Sequence, residues 1–142
     1  GADKYVVEHK IASEQYYTKI GTVLTNEFKL KTPYIGDNFF RVTAVRDEDL
    51  GEPSAPLDVK ISYLGEITNF RWDESDQYLK WDVVPGATCY LVLANDEPFG
   101  DLVLTNQLHV VPDPERDLRM QVWASNGVGA TPRSAVVIVP KA

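Results

Sequence analysis

Hydrophobic and polar residues alternate over short stretches along almost the whole chain, with turn-forming residues between them. No stretch keeps a helical period beyond two turns, so the pattern predicts strands throughout. From residue 66 onward it predicts seven: Ile67–Arg71, Gln77–Asp82, Cys89–Ala94, Asp101–Leu104, Leu108–Val111, Leu118–Ser125 and Ser134–Val139. Within them Leu79 and Trp81 share a face, as do Tyr90 and Val92, and Met120, Val122 and Ala124. The acidic stretch 73–76, VVPGAT at 83–88, NDEPFG at 95–100 and NGVGATP at 126–132 supply the turns. Seven short strands in about 75 residues have the count and spacing of an antiparallel sandwich.

The same text is written twice. GADKYVV at 1–7 answers GATCYLV at 86–92, and FFRVTAV at 39–45 answers MQVWAS at 120–125. Ten residues after Ala44 and Ala124 of these segments stands a serine, Ser54 or Ser134. A repeat of this length marks tandem modules. The first copy carries five strands, Tyr5–His9, Tyr16–Val23, Glu27–Lys31, Asn38–Val45 and Ala55–Ser62, which match strands three to seven of the second. The expected organisation is a partial module at 1–62, a linker at 63–65 and a complete module at 66–142.

WDVVPGATCYLV followed by VWASNGVGATPRS resembles the fibronectin type III family. The matching positions are Trp81, Tyr90, Val122, Ala124, Asn126, Gly129 and Ser134, and in the first copy Tyr5, Val42, Ala44, Gly51 and GEPSAP at 51–56. The resemblance covers nearly the whole chain. It implies an all-β, antiparallel immunoglobulin-like β-sandwich, two modules in tandem, with Trp81 meeting Tyr90 between the sheets. It also implies that the first copy holds strands C to G and lacks A and B. Asn38 and Leu118 stand where an aromatic usually opens strand F, so no tyrosine corner carries over. Arg46 and Asp47 depart from the family pattern in the first copy. The wording of both copies is similar to accessory modules of bacterial secreted, polysaccharide-active proteins; phage tail or fibre proteins and adhesion or receptor ectodomains use similar text.

Composition narrows the chemistry. The net charge is −7, with eight Lys/Arg against ten Asp/Glu over 1–62 and six against eleven over 63–142. An acidic balance without basic clusters argues against nucleic acid and anionic membranes as partners. No apolar run reaches the length of a membrane span. The single cysteine, Cys89, cannot pair within the chain. Gly1 follows no Met and no Asn-x-Ser/Thr acceptor occurs, features expected of an excised or mature piece of a non-eukaryotic protein. No nucleophile–base set can be assembled: His9 and His109 fall on strands, and no serine sits in a G-x-S-x-G context. The carboxylates lie in loops, without the alternating spacing of a calcium loop. RGD is absent. No catalytic residue, metal ligand or cofactor is expected.

One surface stands out. If Met120, Val122 and Ala124 point inward, Arg119, Gln121 and Trp123 point outward; on the neighbouring strand Leu91 and Leu93 do the same. Leu91, Leu93 and Trp123, with Arg119 beside them, form a candidate docking surface. The alternatives are that Arg119 simply covers the tryptophan, or that Trp123 is a platform for a sugar ring. Tyr63, Leu64 and Trp72 are expected at the joint between modules. The partners implied are other domains of the same polypeptide or a protein, with polysaccharide reached through a neighbouring domain, in an extracellular or cell-surface setting. Without strands A and B, residues 1–62 forgo three or four large buried side chains at roughly 1.5–3 kcal/mol each. They are expected to leave an apolar face and a strand edge open.

Overall fold

A computed structural model describes residues 2–32 and 34–142, and every regular element among them is a β-strand. Two compact units divide the chain: residues 1–30 with 36–61, and residues 31–35 with 62–142. They are called unit 1 and unit 2.

In unit 1, β1 (Lys4–Ile11) pairs antiparallel with β2 (Thr18–Val23) and with β3 (Gly36–Arg46). β3 turns through Asp47 and Glu48 into β4 (Asp49–Leu50), and also pairs with β5 (Leu57–Tyr63). Asp47 takes a left-handed φ of 57° to close that two-residue turn. The result is a single sheet in the order β2-β1-β3-β5. The expected strand at Glu27–Lys31 does not form. A strand is held by the ladder it joins, and the described strands of unit 1 form one sheet, which this segment does not enter. It runs instead as irregular chain that lays Phe28 against Gly21: a Cβ built on Gly21 would sit 2.4 Å from Phe28 Cε2.

Unit 2 is an antiparallel immunoglobulin-like β-sandwich. One sheet has the order β10-β7-β6, from β6 (Arg71–Asp73), β7 (Tyr78–Lys80) and β10 (Gln107–His109). The facing sheet is built on β8 (Cys89–Ala94) and β11 (Leu118–Ser125), with β9 (Glu97–Pro98) beside β8. β12 (Gly129–Ala130) and β13 (Val137–Val139) flank β11 on the other side. Ser62 and Tyr63, the end of β5, run parallel to β12.

The core lies between these sheets. Leu79, Trp81, Val84 and Val110 meet Tyr90, Val92, Met120, Val122, Ala124 and Val139. Trp81 and Tyr90 sit edge to face with centroids 5.3 Å apart, and Tyr90 Oη accepts a hydrogen bond from Val84 N at 3.1 Å. Trp81 is only 1% exposed, and its buried indole N–H meets no acceptor among the described residues.

Three strand expectations shift. Ile67–Arg71 gives way to Arg71–Asp73, because Asn69 adopts φ 56° and breaks the extended run. Asp101–Leu104 is not a strand: Leu102 and Leu104 are exposed and only Val103 bridges to Tyr90. The partner of β8 is β9, reached through a two-residue turn in which Asn95 and Asp96 both have positive φ. The last strand is split between β12 and β13.

That split explains the repeated serine. Between β12 and β13 the chain swings off the ladder, past Pro132, which has no N–H to give. Side-chain hydroxyls take over: Val122 N donates to Ser134 Oγ and Ala124 N to Thr131 Oγ1, each at 2.9 Å. Unit 1 repeats the first of these, with Val42 N donating to Ser54 Oγ at 2.9 Å. The serines ten residues beyond Ala44 and Ala124 therefore cap the same strand amide.

Candidate functional site

The outer face of β8 and β11 begins with register. Leu91 lies opposite Trp123, and Leu93 opposite Gln121. This brings Leu91, Leu93 and Trp123 onto one face, as alternation from the inward Tyr90, Val92, Val122 and Ala124 requires. Leu93 is fully buried, Leu91 nearly so, and Trp123 half-buried. Arg119 is exposed and its backbone N–H donates to Asn95 Oδ1 at 3.0 Å.

Lys31, which belongs to unit 2, meets this face. Trp123 Nε1 donates to the Lys31 carbonyl at 3.0 Å, and Arg133 Nε donates to the same oxygen at 3.3 Å. The Lys31 ammonium reaches Glu97 at 3.1 Å. Arg133 also holds Asp96 at 2.6 Å, and its guanidinium keeps the Asp96 carboxyl below the ordinary carboxylate range. The grip is thus an indole, a guanidinium and a carboxylate closed around one lysine. Alternation could find Trp123 and its two leucines. It could not find Lys31, 92 residues away in sequence, or Arg133 beyond the split last strand.

Tyr63, Leu64 and Trp72 all fall within unit 2. Tyr63 is exposed, pairs with Ala130 through its backbone, and donates its hydroxyl to Glu66 Oε1 at 2.8 Å. Leu64 and Trp72 pack against the edge of the core.

The groups with chemical potential are engaged internally. Asp73 and Asp76, on the acidic turn, close on Lys80 Nζ at 2.8 and 2.7 Å. The Lys80 ammonium and Ser75 hold the Asp73 carboxyl down at about 2, while the two carboxylates raise Lys80. His109 lies edge-on to Tyr78, and buried His9 bonds Asn38 Oδ1 through Nε2 at 2.8 Å. Cys89 Sγ lies 3.7 Å from the Ser125 carbonyl. Among the described residues no three His, Cys, Asp or Glu side chains cluster as metal ligands would. Also among the described residues, no helix is long and apolar enough to cross a membrane.

A second candidate lies on unit 1. One face of its sheet carries an apolar groove of about 490 Å³, lined by Tyr5, Val7, Phe28, Phe40, Val42 and Val59 among others. Three aromatic rings and three valines dominate these, and Thr25, Asn26 and Glu27 add polar groups to the lining.

No family model matches the chain, and no curated protein matches it. Among solved structures it is similar to the FN1–FN3 domains of chicken CNTN1, at 16% identity and a TM-score of 0.45, over 99% of this chain and 56% of that one. It is also similar to a segment of two fibronectin type III domains from chicken tenascin, at 11% identity and a TM-score of 0.41, over 99% of this chain and 86% of that one.

Proposed function

We propose that the chain is a non-catalytic spacer and docking element of a larger extracellular protein, built from two fibronectin type III-like modules. The observation that carries this reading is the Trp123 face. Its one polar donor and the neighbouring guanidinium are spent on a main-chain carbonyl, Lys31 O, and its leucines are buried. Recognition of a backbone carbonyl beside an apolar patch is what holds a peptide segment in place; it offers no group to a reacting substrate. The similarity of WDVVPGATCYLV, and of FFRVTAV followed by GEPS, to accessory modules of bacterial secreted, polysaccharide-active proteins supports a bacterial secreted or surface glycan-degrading protein as the host.

Limited trypsin digestion of the full chain tests the docking role. Trp123→Ala should leave the near-ultraviolet signature of Trp81 intact while cleavage after Lys31 speeds up several-fold. Unchanged cleavage at Lys31 would show that the face holds nothing. For the host, a domain with paired carboxylates encoded beside this chain is the expected finding; triple-stranded fibre repeats or a membrane span there would replace it.

A further inference from the structure

We propose that the turn at Asn126–Gly127 is a self-modification site, where the folded chain promotes ring closure between the two residues and converts Asn126 to aspartate and isoaspartate. The turn lies within unit 2, just beyond Ser125, the last residue of β11. Of the six asparagines in the chain, only Asn126 is followed by glycine. Glycine has no side chain to shield its own amide nitrogen from a neighbouring carboxamide. Gly127 is also exposed, and its φ of 90° is one that a residue with a Cβ adopts only under strain. Water and hydroxide therefore reach the nitrogen that must react.

Three side-chain contacts arrange the reacting groups. Asn126 Oδ1 accepts from Val128 N at 3.1 Å and from Gly129 N at 2.7 Å. Two backbone donors on one amide oxygen polarise Cγ, and they are already in place for the negative charge that oxygen gains when Cγ is attacked. Gly127 N donates to Ser125 Oγ at 3.1 Å, so the proton that must leave has an acceptor. An N–H bond lies in the peptide plane, and this contact leaves the face of the nitrogen open toward Cγ. The backbone bonds from Asn126 N to Gly129 O and from Thr88 N to Ser125 O hold the turn in this form. Gly127 N then bonds to Asn126 Cγ as its proton passes through Ser125 Oγ to hydroxide. The Cγ–Nδ2 bond breaks, and Nδ2 takes a proton from water and leaves as ammonia. Water opens the resulting five-membered succinimide at either carbonyl, giving aspartate or isoaspartate. The aspartate form keeps an oxygen for Val128 and Gly129, whereas isoaspartate puts an extra methylene into the main chain. Just beyond it, Val128 O accepts from Ser62 N at 3.0 Å and Ala130 O from Leu64 N at 2.9 Å. Lengthening the turn loosens this parallel pairing of β5 with β12, a slow, one-way release.

The test follows the full chain in mildly alkaline buffer. Its tryptic peptide of residues 120–133 should gain about 1 Da and become a substrate for a protein isoaspartyl methyltransferase, while peptides holding the other asparagines stay unchanged. The folded chain should convert at least about three-fold faster than a synthetic peptide of residues 120–133 in the same buffer. Ser125→Ala should bring the folded chain down to the rate of the peptide, and Ser125→Thr, which keeps the hydroxyl, should restore the parent rate. In the isoaspartyl chain the amides of Ser62 and Leu64 should exchange at least about ten-fold faster than in the parent. A folded chain that converts no faster than the peptide overturns the proposal, as does a Ser125→Ala chain that converts like the parent. Unchanged exchange at Ser62 and Leu64 in the isoaspartyl chain overturns the release of β5 from β12.

Discussion

Removing the hydroxyl of Ser134 should destabilise unit 2 far more than removing its counterpart Ser54 destabilises unit 1. Ser134 is 7% exposed and its Oγ accepts a hydrogen bond from the amide of Val122, itself fully buried. Alanine leaves that N–H without a partner in a place water cannot reach, a loss of about 1–3 kcal/mol. Ser54 makes the same 2.9 Å bond to Val42 N, but it is exposed, so water replaces the hydroxyl and the loss is a few tenths of a kcal/mol. Thr131→Val is the companion change: it deletes the oxygen that Ala124 N bonds while keeping the side-chain volume, at a fully buried position. Its cost should also fall at about 1–3 kcal/mol. Tryptophan fluorescence isolates the effect, since Trp72, Trp81 and Trp123 all belong to unit 2. In urea, with a slope of about 1–3 kcal/mol per molar, Ser134→Ala and Thr131→Val should each lower the midpoint by roughly 1 M. Ser54→Ala should leave that tryptophan transition in place. Both unit 2 variants unfolding within about 0.3 kcal/mol of the parent would refute the idea that hydroxyls substitute for ladder bonds here.

Other outcomes follow from single contacts. Leu79→Ala, at a position with no exposure, should cost about 3–5 kcal/mol in the same urea experiment, through lost burial and the cavity left behind. Trp123→Phe keeps an aromatic ring but removes the donor to Lys31 O, so cleavage after Lys31 should rise by less than in Trp123→Ala. The Asp73 carboxyl, held at about 2 by Lys80 and Ser75, should titrate there by carbon NMR; Lys80→Met should move it back toward 3.8. Because the folded value is lowered, the turn's contribution is fully present above about 3.8 and is lost as pH falls toward 2. Gly21→Leu should displace Phe28, whose ring occupies the space of the new side chain, and raise binding of an apolar dye to unit 1.

The parts of this fold that were legible in the sequence are those where one face is buried and one is wet. Period-two alternation then reports orientation directly, as in Leu118–Ser125, whose buried positions are Leu118, Met120, Val122 and Ala124. Alternation fails where burial is decided by what arrives from elsewhere. Asp101–Leu104 alternates well enough to read as a strand, yet Leu102 and Leu104 stay in water because the adjacent ladder positions on β8 are filled by Glu97 and Pro98. That outcome was set by two left-handed residues, Asn95 and Asp96, whose tight turn brings β9 back at once. Glu27–Lys31 shows the converse: its composition suits a strand, but among the described residues it joins no ladder.

The outer face of unit 2 obeys the same logic at longer range. Leu91 and Leu93 were legible as outward-pointing from the inward Tyr90 and Val92, and so was their company with Trp123. Their burial was not legible, because it depends on surroundings that no local pattern announces. Lys31 enters through its carbonyl oxygen, which every residue type carries, so no side-chain pattern could mark it. The repeated serines are the opposite case. A serine at a fixed distance from a valine in both copies is a side-chain signal for a backbone need, and the structure shows the need beside Pro132, which cannot extend the ladder that Ser134 and Thr131 replace. A repeat therefore exposes more of the physics than its alternation does: positions kept for packing read as faces, and polar positions kept at fixed offsets read as amides that the sheet leaves unpaired.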